Sequence, residues 1–128
     1  MIVDDLLEKL NESMFVNIDF DEILDLRDSE LFDREWNRVY KVVEEEKKIK
    51  GYSEENKQLS DECRKNAYLR VYNLCENDSL AAYISDDFGV ICDSELVRYT
   101  DSWLEALIKT YAASKITCDE GAIFNEQD

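Results

Sequence analysis

Carboxylates are the side chains of this sequence with the most chemical potential, and histidine is absent. The 128 residues include thirty-one Asp and Glu, fifteen Lys and Arg, and no His. Two carboxylates brought together can act as a general acid and base, and several can bind a metal ion or a cationic surface. Catalytic triads that use imidazole as their base are excluded, and neither glycine-rich phosphate-binding motif, GxxxxGK[ST] or GxGxxG, occurs. The composition therefore favours a binding protein with no cofactor over an enzyme.

The acid-rich segment 19–25 is the first candidate site. It resembles the start of a calcium-binding EF-hand loop, which needs an oxygen ligand at its fifth position and Gly at its sixth. Counted from Asp19, these positions hold Ile23 and Leu24, so the motif fails and no metal site is predicted. The segment is then either a solvated acidic loop or a loop that faces a partner. Its four carboxylates are those of Asp19, Asp21, Glu22 and Asp25.

A second acidic motif lies in the segment Ser85-Asp-Asp-Phe-Gly89. Its DFG triplet marks a protein kinase only together with a Gly-rich loop, a strand lysine and an HRD loop. The chain has none of these, so the match is fortuitous. Two interpretations remain: Asp86 or Asp87 caps a helix that begins near Phe88, or these carboxylates contact a partner.

Helices are the elements that must position these side chains. The absence of Pro and the presence of only three Gly favour long helices joined by short turns. Ser29 can cap a helix that ends with three lysines before Gly51. Ser53 can start a second long helix that reaches about Glu76. These two helices are the clearest elements of the sequence.

Shorter elements are predicted before the long helices. Residues 4–10 suit a short helix because Leu6, Leu7 and Leu10 share a face. Residues 15–20 permit a brief extended piece, and residues 20–26 permit another short helix.

The C-terminal half is expected to hold the remaining helices. Asp78 or Ser79 caps the first of them, Gly89 marks a bend, and residues 100–102 cap the last helix. The sequence therefore predicts an all-α fold, a compact bundle of about five to six helices in one domain over residues 1–116. Residues 117–128 are expected to be a polar, loose tail.

The charge distribution indicates the kind of partner. A net charge of −16 repels nucleic acids and anionic membranes and attracts basic protein surfaces. Residues 1–27 hold eight acidic and two basic side chains, residues 78–128 hold eleven and three, and the intervening residues are nearly balanced. If the two acid-rich ends meet in space, they form one acidic face.

The sequence shows no feature of a membrane or exported protein. No apolar run approaches the roughly 20 residues that cross a bilayer, and residues 1–5 lack the basic and apolar parts of a signal peptide. A cytoplasmic location is expected, in which the four cysteines are thiols. Without a CxxC motif or a histidine, a structural zinc site is not predicted.

Part of the C-terminal half resembles a known class of proteins. The runs Leu80-Ala-Ala-Tyr-Ile-Ser-Asp-Asp-Phe-Gly-Val-Ile-Cys and Tyr99-Thr-Asp-Ser-Trp-Leu-Glu-Ala-Leu are similar to those of small helical bacterial immunity proteins. Such proteins accompany toxins of polymorphic or contact-dependent growth-inhibition systems. The resemblance covers about residues 79–115. It implies a protein that blocks a toxin delivered by a neighbouring cell, and many such toxins are nucleases with a basic surface that holds phosphates.

The charge and the resemblance lead to one hypothesis. The chain is expected to be an immunity protein, not an enzyme, whose acidic face covers a basic toxin nuclease. One alternative is an acidic nucleic-acid mimic that inhibits a restriction or defence complex, although the balanced central helices count against it. Another is a generic protein-interaction domain. Tyr83 and Tyr99 are the expected aromatic anchors, and the expected acidic contacts are Asp19, Asp21, Glu22, Asp25, Asp86, Asp87, Asp93 and Glu95.

Overall fold

Six α-helices and one 3-10 turn make up the part of the chain that the structure describes, which confirms the all-α prediction. The computed structural model describes residues 1–116, so the predicted tail at 117–128 lies outside the described residues. No strand occurs within residues 1–116, and no helix in that part of the chain has the length and hydropathy to cross a membrane. The elements are α1 (Ile2–Glu8), a 3-10 turn (Glu12–Phe15), α2 (Phe20–Arg27), α3 (Glu30–Lys50), α4 (Glu54–Cys75), α5 (Asp78–Leu96) and α6 (Ser102–Ala112).

The two long helices begin and end where their capping residues predict. The Ser29 side chain accepts a hydrogen bond from the backbone N–H of Phe32, and Ser53 accepts one from Asn56. Each hydroxyl satisfies a backbone donor that has no partner inside its helix. Gly51 ends α3 with φ of +81°, a backbone conformation that residues with a Cβ rarely adopt. Local signals therefore place α3 and α4.

The segment between α1 and α2 is less regular than predicted. A 3-10 turn occupies its first part, and Asn17 has a left-handed backbone with φ of +59°. Within the expected extended piece at 15–20, Val16 and Asp19 have extended backbone, one before and one after the left-handed Asn17. The predicted short helix after it is confirmed as α2.

Helix α5 is the centre of the bundle. Eleven of its residues are buried, including Leu80, Ile84, Phe88 and Ile91, which are fully inaccessible to solvent. A helix that is apolar on nearly all sides must be covered on nearly all sides. The other helices supply that cover with the buried side chains Val3, Leu6, Val39, Val43, Ala67, Val71, Leu104, Leu107 and Tyr111.

Helices α4 and α5 form a tight antiparallel hairpin. Glu76 ends α4 in the left-handed conformation, and Asn77 then caps α5 by accepting a hydrogen bond from Leu80 N–H at 2.9 Å. The cap is therefore Asn77, where the sequence predicted Asp78 or Ser79. With only two residues in the turn, the chain reverses at once.

The predicted bend at Gly89 is wrong, since α5 runs unbroken through this position. A Cβ placed on Gly89 would lie only 2.4 Å from Cδ of Arg64 on α4. The glycine thus lets the Arg64 stem cross α5 closely. Its role is to allow close approach between two helices, which a rule based on local sequence cannot distinguish from a bend.

Candidate functional site

A buried ion pair between α2 and α5 organises the site. Both terminal nitrogens of Arg27 donate to the carboxylate of Asp87, at 2.6 and 2.7 Å. The two side chains are only 3% and 0% exposed. Such a bidentate pair fixes the orientation of both partners. It therefore joins two helices whose residues are sixty positions apart in the sequence.

Two further helices donate to the same carboxylate. The indole N–H of Trp36 on α3 lies 2.9 Å from one oxygen of Asp87, and the hydroxyl of Tyr111 on α6 lies 2.6 Å from the other. Burial alone would lower the pKa of Arg27, but the charge and hydrogen bonds of Asp87 outweigh it, so the pKa is raised. Burial and the charge of Asp87 also raise the pKa of Tyr111, which keeps its hydroxyl a donor. Four helices meet at this network.

Asp87 is therefore not the surface residue that the sequence suggested. It neither caps a helix near Phe88 nor faces solvent, because α5 already begins at Asp78 and turns this carboxylate inward. The sequence does contain an indication that Asp87 is buried, because Asp87 falls at helical spacing between the apolar residues Ile84 and Ile91. Its partner Arg27, one basic residue in an acid-rich segment, was missed.

An acidic cleft lies next to this network and shares Arg27 and Trp36 with it. Its volume is about 170 Å³, and it lies between the end of α2, the first turns of α3 and the middle of α5. We define the acidic cleft by its lining residues, which are Arg27, Asp28, Phe32, Asp33, Trp36, Asn37, Tyr83 and Asp86.

Aromatic rings cover the one cation of the acidic cleft. The guanidinium carbon of Arg27 lies 4.6 Å from the centre of the Phe32 ring and 5.3 Å from that of Tyr83. The Tyr83 hydroxyl donates to Asp28, and this hydrogen bond, followed by partial burial, raises the pKa of Tyr83. The ring of Trp36 stacks on that of Tyr40, with centres 5.4 Å apart. The walls of the cleft are thus held in place before any partner arrives.

Three carboxylates stand at the rim of the acidic cleft. Asp28, Asp33 and Asp86 are exposed side chains, one each from the end of α2, the first turn of α3 and the middle of α5. Partial desolvation and then the nearby charge of Asp87 raise the pKa of Asp86, although Arg64 and Arg27 oppose the shift. The rim therefore carries three exposed carboxylates, contributed by three different helices.

The predicted acids of α2 lie next to this rim. Asp21, Asp25 and Asp28 follow one another at helical spacing and share a face, which ends at the acidic cleft. Asp21, Glu22 and Asp25 are exposed, and none of them forms an ion pair within residues 1–116. Asp19 caps α2 by accepting a hydrogen bond from Glu22 N–H at 3.1 Å. The two acid-rich ends of the sequence thus meet where α2 reaches Tyr83 and Asp86.

Three other predicted contact residues serve internal bonds away from the acidic cleft. Asp93 accepts a hydrogen bond from Tyr52 at 2.5 Å and pairs with Lys47 at 3.0 Å. The hydroxyl of Tyr99 donates to Asp101 at 2.7 Å. Glu95 accepts hydrogen bonds from the first two backbone N–H groups of α1. The exposed carboxylates near the acidic cleft therefore belong to α2, the start of α3 and Asp86, and not to the end of α5.

The Glu95 contact leads to a stability prediction. Its carboxylate lies 2.8 Å from Ile2 N and 2.9 Å from Val3 N, so it caps a helix from a distant part of the chain. Replacing Glu95 with Gln removes the charge and one acceptor, and we expect a loss of about 1 kcal/mol in the free energy of unfolding. Urea denaturation would measure it. The control Glu62→Gln, at an exposed position of α4, should change stability by less than about 0.5 kcal/mol, and equal stability of the two variants would contradict the cap.

Comparison with known proteins identifies the family to which the chain belongs. No curated protein matches the chain. A family model described as immunity protein PIM1 matches residues 3–118, a range that includes helices α2 to α6, all of α1 except Ile2, and every lining residue of the acidic cleft. Because the match spans most of the sequence, the chain belongs to the family of immunity protein PIM1.

Proposed function

We propose that this immunity protein neutralises a basic toxin nuclease by covering the toxin's substrate-binding surface. The observation that carries the proposal is the acidic face. It consists of the exposed carboxylates Asp28, Asp33 and Asp86 at the rim of the acidic cleft, together with Asp21 and Asp25 on α2, the helix that ends at this rim. A nuclease must present Lys and Arg to hold phosphates. Carboxylates that pair with the same side chains exclude the substrate.

The negative charge of the protein favours rapid association with a basic toxin, which this role requires. With a net charge of −16, long-range attraction can raise the association rate with a basic partner to about 10⁸ M⁻¹s⁻¹ at low salt. Acids at a solvated rim contribute mainly to this rate. A toxin in the cytoplasm would be captured before it cuts many substrates.

Slow dissociation of the toxin complex must come from contacts other than the exposed charges. Buried aromatic contacts dominate the affinity of most interfaces, and rim charges contribute little. The rings of Trp36 and Tyr83 beside the acidic cleft can supply such contacts. Tyr99, the other anchor expected from the sequence, lies outside the cleft and is half-buried against Asp101. The protein then acts by binding alone, with no reaction of its own.

The test is to purify the protein together with the toxin domain encoded beside it. We expect a stable complex that survives at about 0.5 M salt, where screening has removed long-range steering. The free toxin domain should degrade RNA or DNA, and the complex should not. A toxin without nuclease activity would refute the nuclease part of the proposal, and failure to form any complex would refute the proposal as a whole.

A further inference from the structure

We propose that the acidic cleft is a socket for one arginine side chain of the toxin. This inference rests on the proposed function and adds to it the chemistry of the central contact. The acidic cleft combines a concave shape, aromatic walls and a rim of three carboxylates around a cation whose charge is already balanced. Each of these features favours a guanidinium over other occupants.

The size of the cleft favours a single protein side chain over a small-molecule ligand. Sites for cofactors and drug-sized ligands measure roughly 300–1,000 Å³, whereas this cleft measures about 170 Å³. The space therefore suits the end of one long side chain better than a metabolite of ordinary size. A side chain also arrives with the rest of a protein surface, which matches the exposed acids that surround the cleft.

The charge of the cleft selects a cation. Arg27 lies at its floor, but both terminal nitrogens of Arg27 face Asp87, and the two buried charges balance each other. The rim adds three carboxylates, and the lining residues contain no second base. The potential in the cleft is therefore negative. Partial burial, followed by the charge of Asp87, raises the pKa of Asp86, and the nearby charges of Arg64 and Arg27 only partly oppose this shift.

The walls of the cleft favour arginine over lysine. A planar guanidinium stacks on aromatic rings and donates to carboxylates at the same time, which a lysine ammonium does less well. The protein already uses this arrangement internally, since Arg27 lies over the rings of Phe32 and Tyr83. Trp36 is held by its bond to Asp87 and by stacking on Tyr40. An arginine would therefore bind to walls that need little reordering.

The test uses a small probe in place of the toxin. N-acetyl-arginine amide would be titrated into the full-length protein while NMR follows the indole N–H of Trp36 and the side-chain amide of Asn37. We expect saturable shifts with a dissociation constant on the order of 1 mM, as suits so small a ligand. N-acetyl-citrulline amide, which has the same shape without the charge, should produce no saturable shift.

Two matched variants show whether the site is specific. Asp33→Asn combined with Asp86→Asn should weaken the response of Trp36 to the arginine probe at least tenfold. Glu45→Gln combined with Glu62→Gln removes the same charge from exposed positions of α3 and α4, outside the cleft lining, and should leave the response unchanged. Equal responses to arginine and citrulline, or equal losses in the two variants, would overturn the socket.

The two proposals fail in distinguishable ways. If the arginine probe does not bind but the toxin complex forms and is inactive, the socket is wrong and the proposed function stands. If both variants bind the toxin domain as the unaltered protein does, the socket is likewise overturned. If no toxin complex forms, the proposed function fails whatever the probe does.

Discussion

Replacing Asp87 with Asn should lower the free energy of unfolding by about 3–5 kcal/mol, a large share of the 5–15 kcal/mol typical of a domain. The substitution keeps the volume of the side chain and removes its charge. It deletes the carboxylate to which Arg27, Trp36 and Tyr111 donate, while the guanidinium stays charged and buried. Urea denaturation followed by circular dichroism would measure the loss.

The neighbouring residue provides a matched control for this effect. Asp86 carries the same group one position earlier but is exposed, so Asp86→Asn should change stability by less than about 0.5 kcal/mol. The double replacement Arg27→Met with Asp87→Leu should recover only part of the loss: apolar residues can replace the buried ion pair, but the Trp36 indole N–H and the Tyr111 hydroxyl lose their acceptor. If Asp87→Asn were as stable as Asp86→Asn, the buried pair would not be what holds the four helices together.

The second large effect concerns binding. Changing Asp21, Asp25 and Asp86 together to Lys should weaken affinity for the neighbouring toxin domain at least tenfold, about 1.4 kcal/mol. All three carboxylates are exposed, Asp86 at the rim of the acidic cleft and Asp21 and Asp25 on the helix that ends there, and lysines at these positions would repel a basic partner. The association rate should fall most, and it should lose its dependence on salt. Stopped-flow kinetics and calorimetry at about 0.05 and 0.5 M salt would measure both quantities.

The control must separate the position of the charges from their number. Changing Glu8, Glu45 and Glu62 to Lys alters the net charge equally at exposed positions outside the acidic cleft. We expect this variant to bind within about threefold of the unaltered protein, since these exposed charges lie outside the acidic cleft and make no contact with the toxin. Equal weakening in both variants would mean that net charge alone attracts the toxin. Full affinity in both would show that the acidic face is not the interface.

Asp87 was deliberately left out of this charge reversal. A lysine at that buried position would place two cations side by side and unfold the protein. A loss of binding would then result from unfolding of the variant, and not from a lost contact with the toxin. The exposed positions avoid this confusion, and thermal melts of each variant would verify that the fold remains.

Much of the helical framework could be predicted because helix ends are local events. Ser29, Ser53 and Asp101 each cap a helix by accepting a hydrogen bond from a backbone N–H three residues ahead. Such a bond depends on a few neighbouring residues, so the sequence contains all the information it needs. The apolar stripes of the long helices are local in the same sense.

The site could be predicted only in part. Of the predicted contact residues, Tyr83 and Asp86 line the acidic cleft, and the acids of α2 lie on the helix that ends there. Asp93, Glu95 and Tyr99 form internal bonds elsewhere. Each of those three has a partner that is supplied by folding, for example the N-terminus of α1 for Glu95. A carboxylate that caps a distant helix and one that faces solvent look the same in a sequence.

By itself, the sequence determined that the chain is helical, strongly acidic and without histidine chemistry, because composition and capping act over short distances. Only the tertiary structure decided which charges are exposed. Asp86 and Asp87 are adjacent, yet successive residues of a helix point about 100° apart, so one faces solvent and the other faces Arg27 across sixty residues of sequence. The packing of α2, α3 and α6 against α5 set that difference, and with it the acidic cleft.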